Sequence, residues 1–77
     1  MVVKVLGPGC PKCKECEALV RKAAQQTDGD VEVEKVTDFK EIVALGVLAT
    51  PAVVVDGEVK CTGRVPSEQE VLAWLEG

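Results

Sequence analysis

The chain has 77 residues, a net charge of −4 and 47% hydrophobic residues, with Phe39 and Trp74 as its only aromatics. That length makes one domain over residues 1–77 with a small aliphatic core, and the acidic balance and missing stacking platform argue against nucleic-acid binding. No apolar run approaches the ~20 residues that span a bilayer, and Met1 opens no signal-peptide pattern, so a cytoplasmic protein is expected.

Val2–Leu6 reads as a short buried strand, broken by Gly7-Pro8-Gly9. From Pro11 the apolar period becomes helical, so Cys10-Pro11-Lys12-Cys13 sits at a strand-to-helix turn. Cysteines three apart meet across one helical turn, close enough for a disulfide. Cys10 falls at the helix N-cap, where unpaired backbone N–H groups and the positive dipole end favour a thiolate. Pro11 then occupies the first helical position, where its missing N–H costs least. Lys12 and Lys14 add positive charge nearby. Together these features predict a nucleophilic thiolate at Cys10, with Cys13 one turn inside to resolve a mixed disulfide.

The helix predicted over residues 11–26 carries one apolar stripe through Cys13, Cys16, Leu19, Val20, Ala23 and Ala24, with Glu17 and Arg21 as an i, i+4 pair. Asp28-Gly29-Asp30 ends it. Residues 31–36 mostly alternate and read as a half-exposed edge strand. Asp38 is a good N-cap for a short helix holding Phe39, Ile42, Val43 and Leu45, with Gly46 just past its end. Residues 52–55 and 58–61 flank Asp56-Gly57, a strong hairpin signal. Ser67-Glu68-Gln69-Glu70 is a capping box that opens a last helix through Val71, Leu72, Trp74 and Leu75.

The order is therefore β-α-β-α-β-β-α, an α/β architecture with a parallel first βαβ unit and a hairpin completing a four-stranded mixed sheet flanked by helices. Four cysteines in a short chain could mark a secreted disulfide framework, but C-x-x-C beside a strand–helix unit points to redox or metal chemistry. The absence of histidine removes Cys/His zinc sites, though not an all-cysteine one.

Thr50-Pro51 stands just before the third strand, where a proline is tolerable on strand grounds alone. Together with Cys10-Pro11-Lys12-Cys13 it resembles the thioredoxin superfamily. The run Gly7 to Cys13, the Gly46-to-Gly57 segment and Gly63-Arg64-Val65-Pro66-Ser67 look like its small thioredoxin-like, glutaredoxin-like members of archaea and bacteria, the redox-active disulfide protein 2 type. The resemblance covers essentially the whole chain and implies the minimal thioredoxin fold. It also implies a cis Pro51 packed against the Cys10–Cys13 pair, and Gly63 in a loop beside it. The implied partner-binding rim is Pro11, Ala49, Thr50, Pro51 and Gly63, with the Thr50 backbone bonding an extended chain. Two departures stand out: Gly9 precedes the motif where thioredoxins usually carry Trp, and the first strand holds Lys4 but no carboxylate to assist Cys13.

The expected function is thiol–disulfide exchange with protein disulfides through Cys10 and Cys13. It needs no small-molecule cofactor and no metal. The expected partners are a thioredoxin-reductase-type donor and disulfide-containing targets, met by a monomer. The rival is a thiolate metal-binding or metal-transfer module using Cys10, Cys13 and Cys16 or Cys61. Cys16 reads as core on the helix stripe, with two alternatives open: a second partner for Cys13, or a third metal thiolate. Cys61, in phase with Val59, reads as a buried strand residue that could approach the C-x-x-C. Lys12 is an accessory charge, and Arg64 a solvated charge or a dock for an acidic partner.

Overall fold

A computed structural model describes residues 1–27 and 29–76. Its elements are β1 (Val2–Leu6), α1 (Pro11–Gln26), β2 (Glu32–Val36), α2 (Phe39–Ala44), β3 (Ala52–Val55), β4 (Glu58–Thr62) and α3 (Glu68–Leu75), in the predicted order. The sheet runs β2-β1-β3-β4, with β1 parallel to β2 and antiparallel to β3, and β3 antiparallel to β4. β2 is an edge strand, as its alternation predicts, and begins at Glu32 rather than at residue 31.

Each boundary has a local cause. Cys10 caps α1 with Pro11 in its first turn, and Thr27 closes it by bonding the Ala24 carbonyl through both N–H and Oγ1. Of the turn expected at Asp28-Gly29-Asp30, Asp28 lies outside the described residues. Asp38 accepts the Lys40 N–H at 2.9 Å to open α2, and Gly46, at φ 82°, ends it. Both halves of the α3 capping box form: the Glu70 N–H reaches Ser67 Oγ at 3.1 Å, and the Ser67 N–H reaches Glu70 Oε1 at 3.0 Å. Asp56 and Gly57 both take positive φ, the two-residue turn whose twist suits a hairpin.

The sheet is covered on both faces. On one, Val3, Val5, Val53 and Val55 pack under α1 and α3 through Val20, Ala23, Val71 and Leu75. On the other, Leu6, Val36, Ala52 and Val54 meet Ile42 of α2 and Val47. All four residues of β3 are buried for this reason, and its unbroken apolar run is the sequence counterpart.

Cys61 is buried as expected, but not in phase with Val59. Val54 pairs with Val59 and Val53 with Cys61, so a bulge leaves Lys60 as the extra residue in β4. The bulge flips the alternation. Val59 lies on the α2 face and is exposed, while Cys61 enters the core beneath α1 and α3.

Candidate active site

Cys10 and Cys13 are joined by a disulfide, with Cα atoms 5.0 Å apart. Cys10 holds the N-cap: its Sγ accepts the Cys13 N–H at 3.2 Å, and its carbonyl accepts the Lys14 N–H at 3.0 Å. The cap that is usually Ser, Thr or Asp is here a sulfur, so the donors that stabilise a helix start are aimed at the reactive atom. Cys10 is partly exposed and Cys13 is buried. Lys12 and Lys14 are exposed on the first turn, which carries no acidic residue. The helix N-terminus and these two lysines thus set positive charge on the side of the Cys10 sulfur.

The chain after β1 and the Thr50 loop meet at Cys13. Gly7, at the end of β1, donates its N–H to the Val36 carbonyl at 2.9 Å and lies directly against Cys13 Sγ. A Cβ on Gly7 would stand 3.8 Å from the Thr50 Cβ, so Thr50 and Cys13 meet over this one glycine. In the sequence Gly7 is a strand breaker and the first residue of the motif run, and nothing in its neighbours reveals the close approach.

The Thr50–Pro51 peptide is cis. The Pro51 carbonyl accepts the Gly63 N–H at 2.9 Å, and Gly63, at φ 74°, passes close to the Ala49 methyl. Pro11, Ala49 and Gly63 are exposed and Thr50 is partly so. Pro51 differs from the expected rim. Its ring is fully buried, so it supports the rim from beneath.

Beside these residues lies an apolar cleft of about 160 Å³ bounded by Pro8, Thr50, Phe39, Val43, Val47 and Leu48. Leu48 is 91% exposed and Phe39 76%, far beyond what core residues show. The helical spacing placed Phe39 and Val43 on α2, but a six-residue helix cannot bury every apolar residue it carries.

Cys16 is fully buried in the core, and burial, then the Cys61 charge, then Glu15 push its thiol up to about 11. Burial also raises the Cys61 thiol, partly offset by Arg64. Arg64 is not a free surface charge. Its guanidinium grips Glu70 with Nη1–Oε1 at 2.9 Å and Nη2–Oε2 at 2.7 Å. No polar or charged side chain is buried among the described residues, so no buried carboxylate stands beside Cys13, in line with Lys4 on the first strand.

The metal alternative gains no support: among the described residues, no group of three or more Cys, Asp or Glu side chains comes together to hold an ion. Nor, among them, is any helix long and apolar enough to cross a membrane.

The family model described as a thioredoxin domain matches residues 1–76. A thioredoxin of Methanocaldococcus jannaschii is 38% identical over 81 aligned positions, covering 100% of this chain and 93% of the relative. A thioredoxin of Methanothermobacter thermautotrophicus is 37% identical, covering 92% of each. A probable thioredoxin of the same organism is 30% identical over 92% of this chain and 89% of its own length. With a sulfur-capped helix, a Cys10–Cys13 disulfide and a four-stranded mixed sheet beneath it, the chain belongs to the thioredoxin family and is a thiol–disulfide oxidoreductase.

Proposed function

We propose that Cys10 is the attacking thiolate and Cys13 the resolving thiol of a single-domain cytoplasmic redox carrier that works as a monomer. The observation that carries this reading is the asymmetry of the pair: Cys10 sits partly exposed on the helix cap, while Cys13 is buried one turn in. In the reduced protein the Cys10 thiolate attacks one sulfur of a target disulfide and expels the other as a thiolate. Cys13 then loses its proton and attacks Cys10 Sγ. That step forms the Cys10–Cys13 disulfide and releases the target as a dithiol, two electrons richer. With no buried carboxylate nearby, the Cys13 proton leaves to water or to the departing target thiolate.

A thioredoxin-reductase-type donor would restore the dithiol, and disulfide-bearing proteins would accept its electrons. The partner chain would lie across Pro11, Thr50 and Gly63, bonding the Thr50 backbone, with buried Pro51 fixing that loop and Lys12 facing the incoming chain. The experiment is mixed-disulfide trapping. Cys13→Ser should accumulate a covalent adduct with a protein disulfide through Cys10, and Cys10→Ser should form none. Equal trapping by both variants would overturn the assignment of roles.

A further inference from the structure

Two thiols remain outside that cycle, and both lie in one buried cluster beneath α1 and α3. Lys35, Val5, Val53 and Cys61 form one row across the sheet, from β2 to β4. Lys35 Nζ lies 3.5 Å from Glu17, which sets the second turn of α1 over this row. Cys16, next to Glu17, is fully buried in the same cluster as Val5, Val53 and Cys61. Charge on Cys61 also adds to the opposition that burial sets against ionisation of Cys16. On its other side Cys16 follows Cys13 by three residues, one helical turn, and both face the core.

We propose that Cys16 and Cys61 form a second, buried redox centre that exchanges electrons with the Cys10–Cys13 pair through Cys13. The proposal rests on the exchange chemistry assigned above to Cys10 and Cys13. No external disulfide reaches Cys16, which has no exposed surface, so its oxidant is the neighbouring internal disulfide. In the first step Cys16, as thiolate, attacks Cys13 Sγ: a Cys13–Cys16 bond forms and the Cys10–Cys13 bond breaks. The electron pair leaves on Cys10, the sulfur best placed to hold it. In the second, Cys61, as thiolate, attacks Cys16 Sγ and expels Cys13. The protons lost by Cys16 and Cys61 are balanced by those taken up at Cys10 and Cys13. One molecule then carries four electrons rather than two, and recovers its active dithiol once without a reductase.

Both attacking thiols are held protonated at neutral pH. Burial with the charges of Cys61 and Glu15 acts on Cys16, and burial with those of Arg64 and Glu70 acts on Cys61. The internal step is therefore slower than exchange at Cys10 and quickens about tenfold per pH unit between pH 7 and 9.

The test uses the fully reduced protein, freed of reductant and mixed with excess insulin as the disulfide. Acid quench, alkylation under denaturing conditions and peptide mass mapping then count the thiols. Wild type should reduce two insulin disulfides per chain, the second more slowly, and yield a Cys16–Cys61 cross-linked peptide. Cys61→Ala and Cys16→Ala should each stop at one. If wild type also stops at one, with Cys16 and Cys61 fully alkylated, the second centre does not exist. If it reduces none, the exchange assignment itself has failed. A second equivalent that persists in Cys61→Ala would overturn the role given to Cys61.

Discussion

Gly7 touches Cys13: a methyl group on the end of β1 would occupy the space of the buried sulfur. The neighbour that would have to yield is anchored in the first turn of α1, and the Thr50 loop closes the other side. Gly7→Ala should therefore cost about 1–3 kcal/mol, the range for inserting a carbon into a packed core. Urea unfolding of the oxidised protein measures it; an unchanged midpoint would mean that the loops shift freely around the active pair.

Leu48 and Phe39 project from the cleft that ends at Pro8 and Thr50, so under the proposed function they would extend the apolar surface offered to a partner chain. Replacing Leu48 by Ser should lower kcat/KM for a protein disulfide about tenfold, as expected for losing part of one buried leucine contact. Turnover of a small cyclic disulfide, which cannot reach the cleft, should not change. Thermal stability should hold as well, since Leu48 is almost fully exposed. Equal losses on both substrates would place the effect at the sulfur rather than at recognition.

The fold was largely legible because its signals are local and agree with one another. Pro11 after Cys10, Asp56-Gly57 between β-branched runs and the Ser67–Glu70 box each specify one boundary, and each boundary forms. What escaped depends on contacts between distant segments. The Lys60 bulge is set by how β4 meets β3, so strict alternation put Val59 and Cys61 on one face when they lie on opposite faces. Gly7 against Cys13 and Arg64 on Glu70 are likewise products of packing. The cis Thr50–Pro51 peptide was accessible only through resemblance, because propensity alone favours trans.

Glu70 serves two masters, accepting both the Arg64 guanidinium and the Ser67 N–H. The Arg64 hydrogen bonds, then the Ser67 backbone bond, hold its carboxyl down at about 2. In the unfolded chain the same group titrates near the ordinary value of about 4.3. The unfolded state thus binds the proton first as pH falls, and the stability contributed by this pair is present above about pH 4.3 and lost toward pH 2. Glu70→Gln keeps the side chain's length and its capping oxygen but removes the charge. Its melting temperature should lie below wild type at pH 7 and converge with it near pH 2. A gap independent of pH would assign the effect to packing instead.

The buried Cys16 thiol gives the opposite dependence at the alkaline end. It titrates at about 11 in the fold, because burial opposes the thiolate and the Cys61 and Glu15 charges add to that opposition. In the unfolded chain it titrates near 8.5. Between those values the unfolded chain has released a proton that the native state retains, so the reduced protein loses stability as pH rises from about 8.5 to 11. At 1.36 kcal/mol per pKa unit, the loss over that span is on the order of 3 kcal/mol. Cys16→Ala removes the titrating group at the cost of a small cavity. Its denaturant midpoint should fall below wild type at pH 7, and the difference should shrink or reverse at pH 10.5. A constant difference across that range would show that Cys16 ionises as readily in the fold as in the open chain.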